Sequence, residues 1–285
     1  MMLHERAVAV RDRLERAGLT PADAAFDAEV LVRHALGWDR ARWLAGRREP
    51  EPPGLETALE PLVTRREQRE PIAYILGARE FWGLEFEVTP AVLIPRPETE
   101  FLVEEGLARL RPAGDGPAPY LIDVGTGSGC VAIAIAYERP DARVTAIDIS
   151  AEALTVARRN AQRHAVHVTF ALGDLLVGVT DHPDIIVANP PYVPRRARPA
   201  LSREVGGHEP HVALFGSDED GLGTIRALLS QAANLLRPGG WLLFEFGYGQ
   251  AEDVERLIAQ HPTLRLERVR EDLQGIERTA IVRRV

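Results

Sequence analysis

The sequence of residues 121–130 reads LIDVGTGSGC, in which a short apolar run passes into three alternating glycines. Residues 120–124 are typical of a buried strand, and the apolar pattern of residues 129–138 is typical of a helix. Glycines at such a junction let the backbone approach a ligand closely, and a helix N-terminus offers unpaired N–H groups. The segment therefore predicts a strand, a loop and a helix that bind a nucleotide-like cofactor. The alternative is a tight turn that binds no ligand.

Alternating strand and helix patterns continue from this segment to the C-terminus. The candidate strands are 120–124, 143–147, 167–171, 184–188, 240–246, 263–270 and 277–284, and the candidate helices are 129–138, 151–164, 221–236 and 250–260. Strands separated by helices predict an α/β fold with a doubly wound, mostly parallel sheet of seven strands. Only a short connection joins the last two strands, so we expect them to pair antiparallel.

The first part of the chain has a different pattern. Apolar residues recur at helical spacing through residues 1–76, and Thr20 followed by Pro21 is a typical helix start. Around Gly83, apolar and polar residues alternate, which predicts a short hairpin. A turn-rich stretch, 111–117, precedes the first strand of the main sheet. The expected organisation is a smaller N-terminal helical domain (1–76), a β-hairpin linker (77–95) and a main α/β domain (96–285).

The composition excludes several kinds of chemistry. The chain has 285 residues, and all 34 of its basic residues are arginine. Without lysine there can be no lysine Schiff base, no pyridoxal-phosphate anchor and no Walker-type phosphate lysine. With Cys130 as its single cysteine, the chain can form neither an internal disulfide nor a multi-cysteine zinc site.

Net charge, cysteine content and hydropathy favour one cellular compartment over others. The net charge of −8, from 34 basic and 42 acidic residues, weakly disfavours binding dominated by nucleic-acid phosphates. A single cysteine fits a reducing compartment. Residues 1–6 lack the apolar core of a signal peptide, and no apolar stretch approaches the roughly 20 residues that span a bilayer. We therefore expect a cytoplasmic protein with no membrane partner.

Acidic residues stand at the ends of the first three predicted sheet strands. Ligands of open α/β sheets bind in the crevice beyond the carboxyl ends of the strands. There, Asp123 could place a carboxylate near a cationic ligand, and Asp148 can accept hydrogen bonds from both hydroxyls of a ribose. Asp148 could instead cap the next helix, and Asp174 could lie in an ordinary solvated turn. NAD and S-adenosylmethionine both contain a ribose, so a ribose contact does not distinguish between these two cofactors.

The sequence Asn189-Pro190-Pro191-Tyr192 follows the fourth predicted strand. Asn-Pro is a common turn signal, so a plain loop is the simple alternative. Two prolines stiffen the backbone and hold the Asn189 side chain and the Pro190 carbonyl in fixed directions. Both oxygens can accept hydrogen bonds from one planar –NH2 group, and Tyr192 can pack its ring against the same plane. The motif suits a substrate nitrogen whose lone pair is delocalised.

The glycine loop, followed by the Asn-Pro-Pro-Tyr motif, resembles the class I S-adenosylmethionine-dependent amino methyltransferases. The chain is more closely similar to the peptide chain release factor glutamine methyltransferases, and this similarity covers nearly its whole length. The matching runs include EPIAYILG (70–77), EFWG (80–83), IPRPETE (94–100), Glu209-Pro210, PGG (238–240) and Glu245-x-Gly247-x-x-Gln250. The segment 94–100 is specific to this group, whereas Asn-Pro-Pro-Tyr alone is not.

Taken with the residue patterns, this resemblance implies roles for individual residues. The cofactor-binding set is Asp123, Gly125, Thr126, Gly127, Ser128, Gly129, Asp148, Asp174, Leu175 and Asn189. The catalytic set is Asn189, Pro190 and Tyr192, and the substrate-binding set is Asn189, Pro190, Pro191, Tyr192, Arg96 and Glu98. Members of the family often have an aromatic residue beside the adenine at the position of Leu175, where this chain offers an apolar wall instead.

The resemblance also implies a reaction. A methyl group would pass from S-adenosylmethionine, which becomes S-adenosyl-L-homocysteine, to the side-chain amide nitrogen of the glutamine in the Gly-Gly-Gln motif of peptide chain release factors. The helical N-terminal domain would dock the substrate protein, and we expect a monomer with no stable nucleic-acid partner.

Three alternatives stay open. They are a glutamine methyltransferase of a ribosomal protein, an enzyme that methylates exocyclic amines of nucleic acids, and a non-enzymatic NAD-binding module. Residues 1–76 carry 12 arginines against 13 acidic residues, which is less basic than we expect of a nucleic-acid enzyme. The Asn-Pro-Pro-Tyr motif argues against the NAD-binding module.

Two clusters remain without an assigned role. His208 and His211 flank Glu209 in a predicted loop, and two histidines so placed make a poor metal site, so we expect no metal. A basic cluster follows the Asn-Pro-Pro-Tyr motif and is either part of a solvated loop or a docking element for a partner protein. Its residues are Arg195, Arg196 and Arg198.

Overall fold

The computed structural model describes residues 1–111 and 117–285. Its helices are α1 (Leu3–Arg16), α2 (Pro21–Leu36), α3 (Arg40–Gly46), α4 (Leu55–Glu67), α5 (Ile72–Leu76), α6 (Glu100–Arg109), α7 (Cys130–Glu138), α8 (Ala151–Arg163), α9 (Arg203–His208), α10 (His211–Leu214), α11 (Gly223–Leu235) and α12 (Ala251–Ala259). Its strands are β1 (Ala78–Phe81), β2 (Leu84–Glu87), β3 (Tyr120–Val124), β4 (Arg143–Asp148), β5 (Thr169–Leu172), β6 (Ile185–Ala188), β7 (Trp241–Glu245), β8 (Leu264–Glu271) and β9 (Glu277–Arg284). Residues 112–116 of the predicted turn-rich stretch lie outside the described residues.

The chain forms two compact units. The first comprises Met1–Gly77 and Ser202–His208, and the second comprises Ala78–Leu201 and Glu209–Val285. Among the described helices, none combines the length and the apolar character that crossing a membrane requires.

The first unit is a set of helices around one apolar core. Helix α2 begins as predicted: the Thr20 hydroxyl accepts a hydrogen bond from the Asp23 N–H (3.2 Å), and Pro21 occupies the first turn. The helix ends at Gly37, whose φ of 65° is left-handed. The side chains of this core come from α1, α2, α4 and their neighbours and include Leu3, Val10, Leu14, Leu31, Val32, Leu59 and Val63.

A buried ion pair ties the short helix α9 into the same unit. Arg66 of α4 donates from Nε to Asp27 at 2.6 Å, and both side chains are buried. The same guanidinium contacts Glu204 of α9 at 3.2 Å, and Arg69 contacts Glu204 at 2.7 Å. Removing one member of such a buried pair leaves an uncompensated charge, so these contacts fix residues 202–208 against the helices.

The predicted hairpin is present at residues 78–87. Strands β1 and β2 pair antiparallel, with Phe81 opposite Leu84. Trp82 and Gly83 form the turn and have φ values of 56° and 69°. Two consecutive positive φ values are the geometry that matches a tight turn to the twist of a two-stranded hairpin.

The main sheet confirms the predicted α/β architecture. Within the described residues it has seven strands in the order β5-β4-β3-β6-β7-β9-β8. Strands β3 to β7 run parallel, whereas β9 is antiparallel to both β7 and β8, as the short last connection predicts. The chain passes from β3 to β4 on one side and returns to β6 on the other side. This reversal opens a crevice at the carboxyl end of β3.

Both faces of this sheet are covered by helices. On β3, Leu121 packs with α7, while Ile122 and Val124 pack with α11 on the opposite face. Alternate residues of a strand point to opposite faces, so an apolar run buried on both sides fits a central parallel strand. Burial of one such side chain stabilises the fold by roughly 1.5–3 kcal/mol. The rigid centre of the sheet thereby fixes the positions of the loops that follow β3, β4 and β6.

Candidate functional site

A pocket of about 800 Å3 lies in the second unit, at the carboxyl ends of the parallel strands. Its wall brings together most of the residues that the sequence singles out. The predicted site residues in its lining are Arg96, Asp123, Gly125, Thr126, Gly127, Ser128, Asp148, Asp174, Leu175, Asn189 and Pro191. Four others, Glu98, Gly129, Pro190 and Tyr192, are not part of the lining. The arginines Arg195 and Arg198 also reach the pocket, whereas Arg196 does not.

The glycine loop after β3 is held open toward this pocket. Gly125 and Gly127 have φ values of 71° and 57°, which a residue with a Cβ adopts only with strain. The N–H groups of Gly125 and Thr126 donate to the Ile147 carbonyl at 2.8 and 3.0 Å, which anchors the loop to the end of β4. A Cβ on Gly127 would meet no protein atom within 4 Å, so the backbone there is open to a ligand.

Gly129 has a different reason to be glycine. Its φ is 83°, and a Cβ there would lie 2.8 Å from the Ile133 Cδ1 and 3.1 Å from the Ala157 Cβ. These contacts belong to the packing of α7 against α8. The structure therefore places Gly129 at a helix–helix contact, while its predicted role in cofactor binding stays a prediction.

Asp123 is a buried carboxylate at the base of the loop. Its Oδ2 accepts from the Thr126 hydroxyl at 2.6 Å and from the Ala132 N–H at 3.2 Å. The pKa of Asp123 is raised to about 7, mainly by burial and in smaller part by the charge of Asp148, while the two hydrogen bonds oppose this rise. A positively charged ligand in the pocket would favour the ionised form of this carboxyl.

Asp148 joins the ends of β3 and β4. One carboxylate oxygen accepts from the Gly127 N–H at 2.8 Å, and the other accepts from the Ser150 N–H at 2.9 Å. Burial raises the pKa of Asp148, and the backbone N–H groups lower it. The N-cap of α8 is Ser150, whose hydroxyl accepts from the Ala153 N–H, so capping is not what Asp148 does.

Asp174 and Leu175 form the wall beyond β5. Asp174 is exposed, as expected for a residue in a solvated turn, and it also lines the pocket. Leu175 has a φ of 52°, which is strained for a residue with a branched side chain. It packs partly against the apolar core and so presents a fixed apolar surface to the pocket.

The Asn-Pro-Pro-Tyr motif follows β6, which lies on the other side of β3 from β4 and Asp148. The Asn189 side chain donates from Nδ2 to the hydroxyl of Thr99 at 3.1 Å. The Tyr192 ring packs against the core, and burial raises its pKa to about 12. The Tyr192 carbonyl accepts from Gln250 Nε2 at 3.0 Å. The pocket wall is thus made by Asn189 and Pro191, while Tyr192 anchors the motif from behind.

The segment before α6 brings Arg96 to the pocket. Arg96 Nη2 contacts Glu209 Oε1 at 2.5 Å, and the other Glu209 oxygen accepts from the Ile94 N–H at 3.2 Å. Because the Glu209 side chain is buried, this pair fixes the path of the Ile-Pro-Arg segment. Glu98 is half-buried and lies outside the lining, although its charge raises the pKa of both Tyr192 and Glu245.

The predicted loops after the motif contain more regular structure than expected. Residues Arg195–Ala200 form a 3-10 helix, and α10 starts at His211.

Across residues 1–111 and 117–285, no group of three or more His, Cys, Asp and Glu side chains could hold a metal ion.

Two buried residues near Asn189 lie in family-specific runs of the sequence, but no pattern assigned either of them a role in the site. Thr99 is 3% exposed and Glu245 is 4% exposed. Thr99 lies in the 3-10 helix Pro97–Thr99, ninety positions before Asn189, and Glu245 ends β7. Burial is the main cause of the rise in the pKa of Glu245 to about 7, and the nearby Thr99 hydroxyl opposes that rise. The family run 94–100 contains Thr99 and the run from Glu245 to Gln250 contains Glu245, but neither run predicted the hydrogen bond between Asn189 and Thr99.

Comparison with known proteins gives consistent matches along both parts of the chain. Residues 106–204 match the methyltransferase small domain, and residues 8–77 match the PrmC N-terminal domain. A release factor glutamine methyltransferase of Geobacter sulfurreducens is 44% identical over 236 residues, which cover 81% of this chain and 80% of that protein. One of Burkholderia pseudomallei is 43% identical over 272 residues, or 92% of each chain.

Solved structures show a shared fold at lower identity. A methyltransferase of Pyrococcus furiosus superposes with a TM-score of 0.54 at 20% identity, over 77% of this chain and 98% of that one. At this level of identity the similarity concerns the fold alone.

Proposed function

Since the chain belongs to the release factor glutamine methyltransferase family, we propose that it transfers a methyl group from S-adenosylmethionine to the side-chain amide nitrogen of the glutamine in the Gly-Gly-Gln motif of peptide chain release factors. The observation that carries this proposal is the position of Asn189, in the wall of the pocket that also contains the glycine loop and Asp148. One cavity can therefore receive both the cofactor and the amide. The reaction belongs to the cytoplasm, where translation terminates.

The residues of the pocket fit S-adenosylmethionine. At Gly127 the backbone is open because no Cβ covers it, and Leu175 offers a fixed apolar wall. Asp148 accepts two backbone hydrogen bonds, and an ionised carboxylate has about four acceptor positions, so it can still accept from ribose hydroxyls. When bound, the cofactor supplies a methyl group that its sulfonium already activates. Asp123 places a buried carboxyl where a positive charge would stabilise its ionised form.

The target amide is held by acceptors at Asn189 and Pro190. Asn189 Nδ2 is committed to Thr99, which leaves Oδ1 as the free end of the side-chain amide. This oxygen and the Pro190 carbonyl can each accept one hydrogen of the substrate –NH2 group. Tyr192 contributes by anchoring the motif, since its ring packs in the core and its carbonyl is held by Gln250.

Placement is the main contribution of these residues to the rate. An amide nitrogen is a weak nucleophile because its lone pair is shared with the carbonyl. In-line placement of two reactants can contribute ~7–11 kcal/mol in favourable cases. The oxygens of Asn189 and Pro190 also stabilise the positive charge that develops on the attacking nitrogen. Transfer releases the neutral thioether and leaves a positively charged, N-methylated amide, which is strongly acidic and loses its proton afterwards, so no dedicated strong base is needed.

The substrate protein is received at the rim of the pocket and by the helical unit. Arg96, Arg195 and Arg198 line the pocket, and the last two are exposed. We assign Arg96 and Glu98 to substrate binding and the helical unit to docking of the release factor, with the enzyme acting as a monomer and without a stable nucleic-acid partner. Exposed arginines beside the pocket can contact the surface of the substrate protein, whose loop must insert one side chain into this pocket.

The proposal is tested by incubating the protein with methyl-labelled S-adenosylmethionine and release factors, followed by mass spectrometry of the Gly-Gly-Gln peptide. We expect one methyl group on the glutamine and none on a substrate with Gln→Ala at that position. Asn189→Ala should abolish transfer while it still binds S-adenosylhomocysteine. Near-normal turnover of Asn189→Ala would contradict the roles given above.

The same assay separates the competing functions. Label on a ribosomal protein or on nucleic acid, with none on the release factor, would replace the proposed substrate. Calorimetry with S-adenosylhomocysteine and with NAD tests the cofactor directly, and tighter binding of NAD would contradict the methyltransferase assignment.

A further inference from the structure

Gln231 of α11 lines the pocket and holds the loop that follows β5. Its Oε1 accepts a hydrogen bond from the Leu176 N–H at 2.7 Å. Leu176 is buried and is not part of the lining, so this bond anchors the loop to α11. Thr224, Ala227 and Gln231 all line the pocket and recur at helical spacing, so one face of α11 forms part of its wall.

The anchored loop contains a residue in a strained conformation. Leu175 has a φ of 52°, which a residue with a branched side chain adopts only at a cost. Hydrogen bonds hold the backbone on both sides of it: the Gly173 N–H donates to the Asp148 carbonyl at 3.0 Å, and the Leu176 N–H donates to Gln231. A strained residue persists only where its surroundings determine it, and such residues cluster at ligand sites. We therefore expect this loop to contact a ligand.

The hydrogen bond to the loop decides which end of the Gln231 amide is left for that ligand. A backbone N–H only donates, so it selects the oxygen end of the amide, and Nε2 lies at the other end. Among the described residues, Nε2 has no hydrogen-bond partner. Because Gln231 is half-buried and lines the pocket, its –NH2 group is a donor that a ligand can use.

The order of the strands indicates which part of the cofactor reaches Gln231. In the sheet order β5-β4-β3-β6, Asn189 follows β6, Asp148 ends β4 and the anchored loop follows β5. In S-adenosylmethionine the sulfonium and the adenine are attached at opposite ends of the ribose. With the methyl group beside Asn189 and the ribose at Asp148, the adenine extends toward the loop after β5 and toward Gln231.

We propose that Gln231 is a further cofactor-binding residue, whose Nε2 donates a hydrogen bond to a ring nitrogen of the adenine while its Oε1 holds the loop. This inference rests on the proposed function, in which the pocket binds S-adenosylmethionine. Adenine offers ring nitrogens as acceptors, and glutamine amides are among the side chains that recognise it in protein–DNA complexes. An ionised Asp174 in the same wall only accepts hydrogen bonds, so it cannot make this contact.

The first test measures the Kd for S-adenosylhomocysteine by calorimetry. Gln231→Leu removes both ends of the amide, and we expect the Kd to rise about tenfold or more. Asn234→Leu is the matched control, because it replaces an amide by the same apolar side chain on the same helix. Asn234 is exposed, does not line the pocket and donates to the Ser230 carbonyl at 3.0 Å. Asn234→Leu should keep the parental Kd, whereas a parental Kd in Gln231→Leu would overturn the proposal.

A second variant separates contact with the ligand from support of the loop. Gln231→Glu keeps an oxygen that accepts from the Leu176 N–H and lacks the –NH2 group. We expect this variant also to bind S-adenosylhomocysteine about fivefold or more weakly. Weaker binding in Gln231→Leu with parental binding in Gln231→Glu would mean that Gln231 only supports the loop, and would overturn the proposal. Should Gln231→Leu not fold, Gln231→Glu takes its place in every comparison.

Changes in the ligand test the same contact from the other side. Three analogues of S-adenosylhomocysteine each carry C–H in place of one adenine ring nitrogen, N1, N3 or N7. We expect the parent protein to bind one of them about tenfold or more weakly than S-adenosylhomocysteine, and Gln231→Leu to bind that analogue and S-adenosylhomocysteine within about twofold of each other. A merely structural role of Gln231 would leave these affinity ratios unchanged. The same ratios in both proteins for all three analogues would overturn the proposal.

The affinity of the parent protein keeps this inference separate from the proposed function. A parent protein that does not bind S-adenosylhomocysteine would refute the cofactor itself, and with it the basis of the inference. A parent protein that binds it, together with Gln231 variants of parental affinity, would refute the role of Gln231 alone.

Discussion

Gln250 Nε2 donates a hydrogen bond of 3.0 Å to the carbonyl oxygen of Tyr192, which ties the start of α12 to the Asn-Pro-Pro-Tyr motif. The same amide donates to the Asp220 carbonyl at 3.2 Å, and its oxygen accepts from the Gly247 N–H at 2.7 Å. One buried side chain therefore holds three segments of the chain together, one of them the Asn-Pro-Pro-Tyr motif. The Tyr192 carbonyl is also closely packed on another side, because a Cβ on Gly221 would lie 2.3 Å from its oxygen.

Loss of this clamp should lower both stability and turnover. Gln250→Ala leaves the Gly247 N–H and the carbonyls of Tyr192 and Asp220 without their partner, and each unsatisfied buried group costs about 1–3 kcal/mol. We expect the free energy of unfolding to fall by about 3 kcal/mol and kcat to fall with it, as measured by urea unfolding and by methyl transfer. Gln250→Glu is the matched variant, because it keeps the acceptor for Gly247 and loses both donations. Parental kcat in both variants would show that the motif holds its position without the clamp.

The glycine loop offers a comparison between two left-handed glycines. Gly127→Ala and Gly37→Ala both place a Cβ where φ is positive (57° and 65°) and where no atom lies within 4 Å. Each change should cost about 1–2 kcal/mol of folding free energy through backbone strain. Only Gly127 lines the pocket. Calorimetry with S-adenosylhomocysteine should therefore show weaker binding by tenfold or more, on the order of 1.4 kcal/mol, for Gly127→Ala alone. Equal affinities would mean that the cofactor does not approach this loop.

Strand positions and the general location of the site could be predicted from the sequence. The strand predicted at 120–124 is β3 itself, and the strand predicted at 184–188 is β6 with one residue less. A short, continuous apolar run that is bounded by glycine or proline and flanked by helical patterns is typical of a buried strand. Because carboxyl ends of parallel strands share one edge, the positions of Asp148 and Asn189 in one pocket follow from the strand assignments.

Contacts that depend on distant residues could not be predicted in this way. Thr99 meets Asn189 across ninety positions, and Glu204 meets Arg66 across 138 positions. Neither pair has a local pattern, because the 3-10 helix before α6 meets the end of β6 in one case and two helices pack together in the other. The hydrogen bond between Asn189 and Thr99 and the membership of residues 202–208 in the helical unit therefore became visible only in three dimensions.

The arginines after the motif allow a test of substrate docking. Arg195 and Arg198 line the pocket, whereas the neighbouring Arg196 does not, and all three are exposed. We expect Arg195→Ala and Arg198→Ala to raise the KM for the release factor several-fold, with little change in kcat at saturation, because they remove uniform binding. Arg196→Ala is the control and should keep the parental KM. The difference should shrink at high salt, since exposed charges are screened there. Identical KM values for the three variants would exclude this segment from docking.

Glu245 makes stability depend on pH in a direction that can be measured. Burial raises its pKa from 4.5 to about 7 in the folded protein. Below pH 4.5 the carboxyl is protonated in both states. Between pH 4.5 and 7 the unfolded chain ionises first, so folding loses up to about 3 kcal/mol as the pH rises. Glu245→Gln removes this loss, and the variant should gain that much stability over the parent protein between pH 4.5 and 8.

The control for this prediction is a carboxyl with the opposite shift. A hydrogen bond from Arg226 is the main cause that lowers the pKa of Asp220 to about 2. Asp220 is therefore ionised in both states from pH 5 to 8, and the cost of Asp220→Asn should not change across that window. Urea unfolding of the cofactor-free protein at pH 5 and pH 8 measures both differences. A stability difference for Glu245→Gln that is the same at the two pH values would mean that Glu245 is already ionised at pH 5, because only a carboxyl that titrates between them can change the difference.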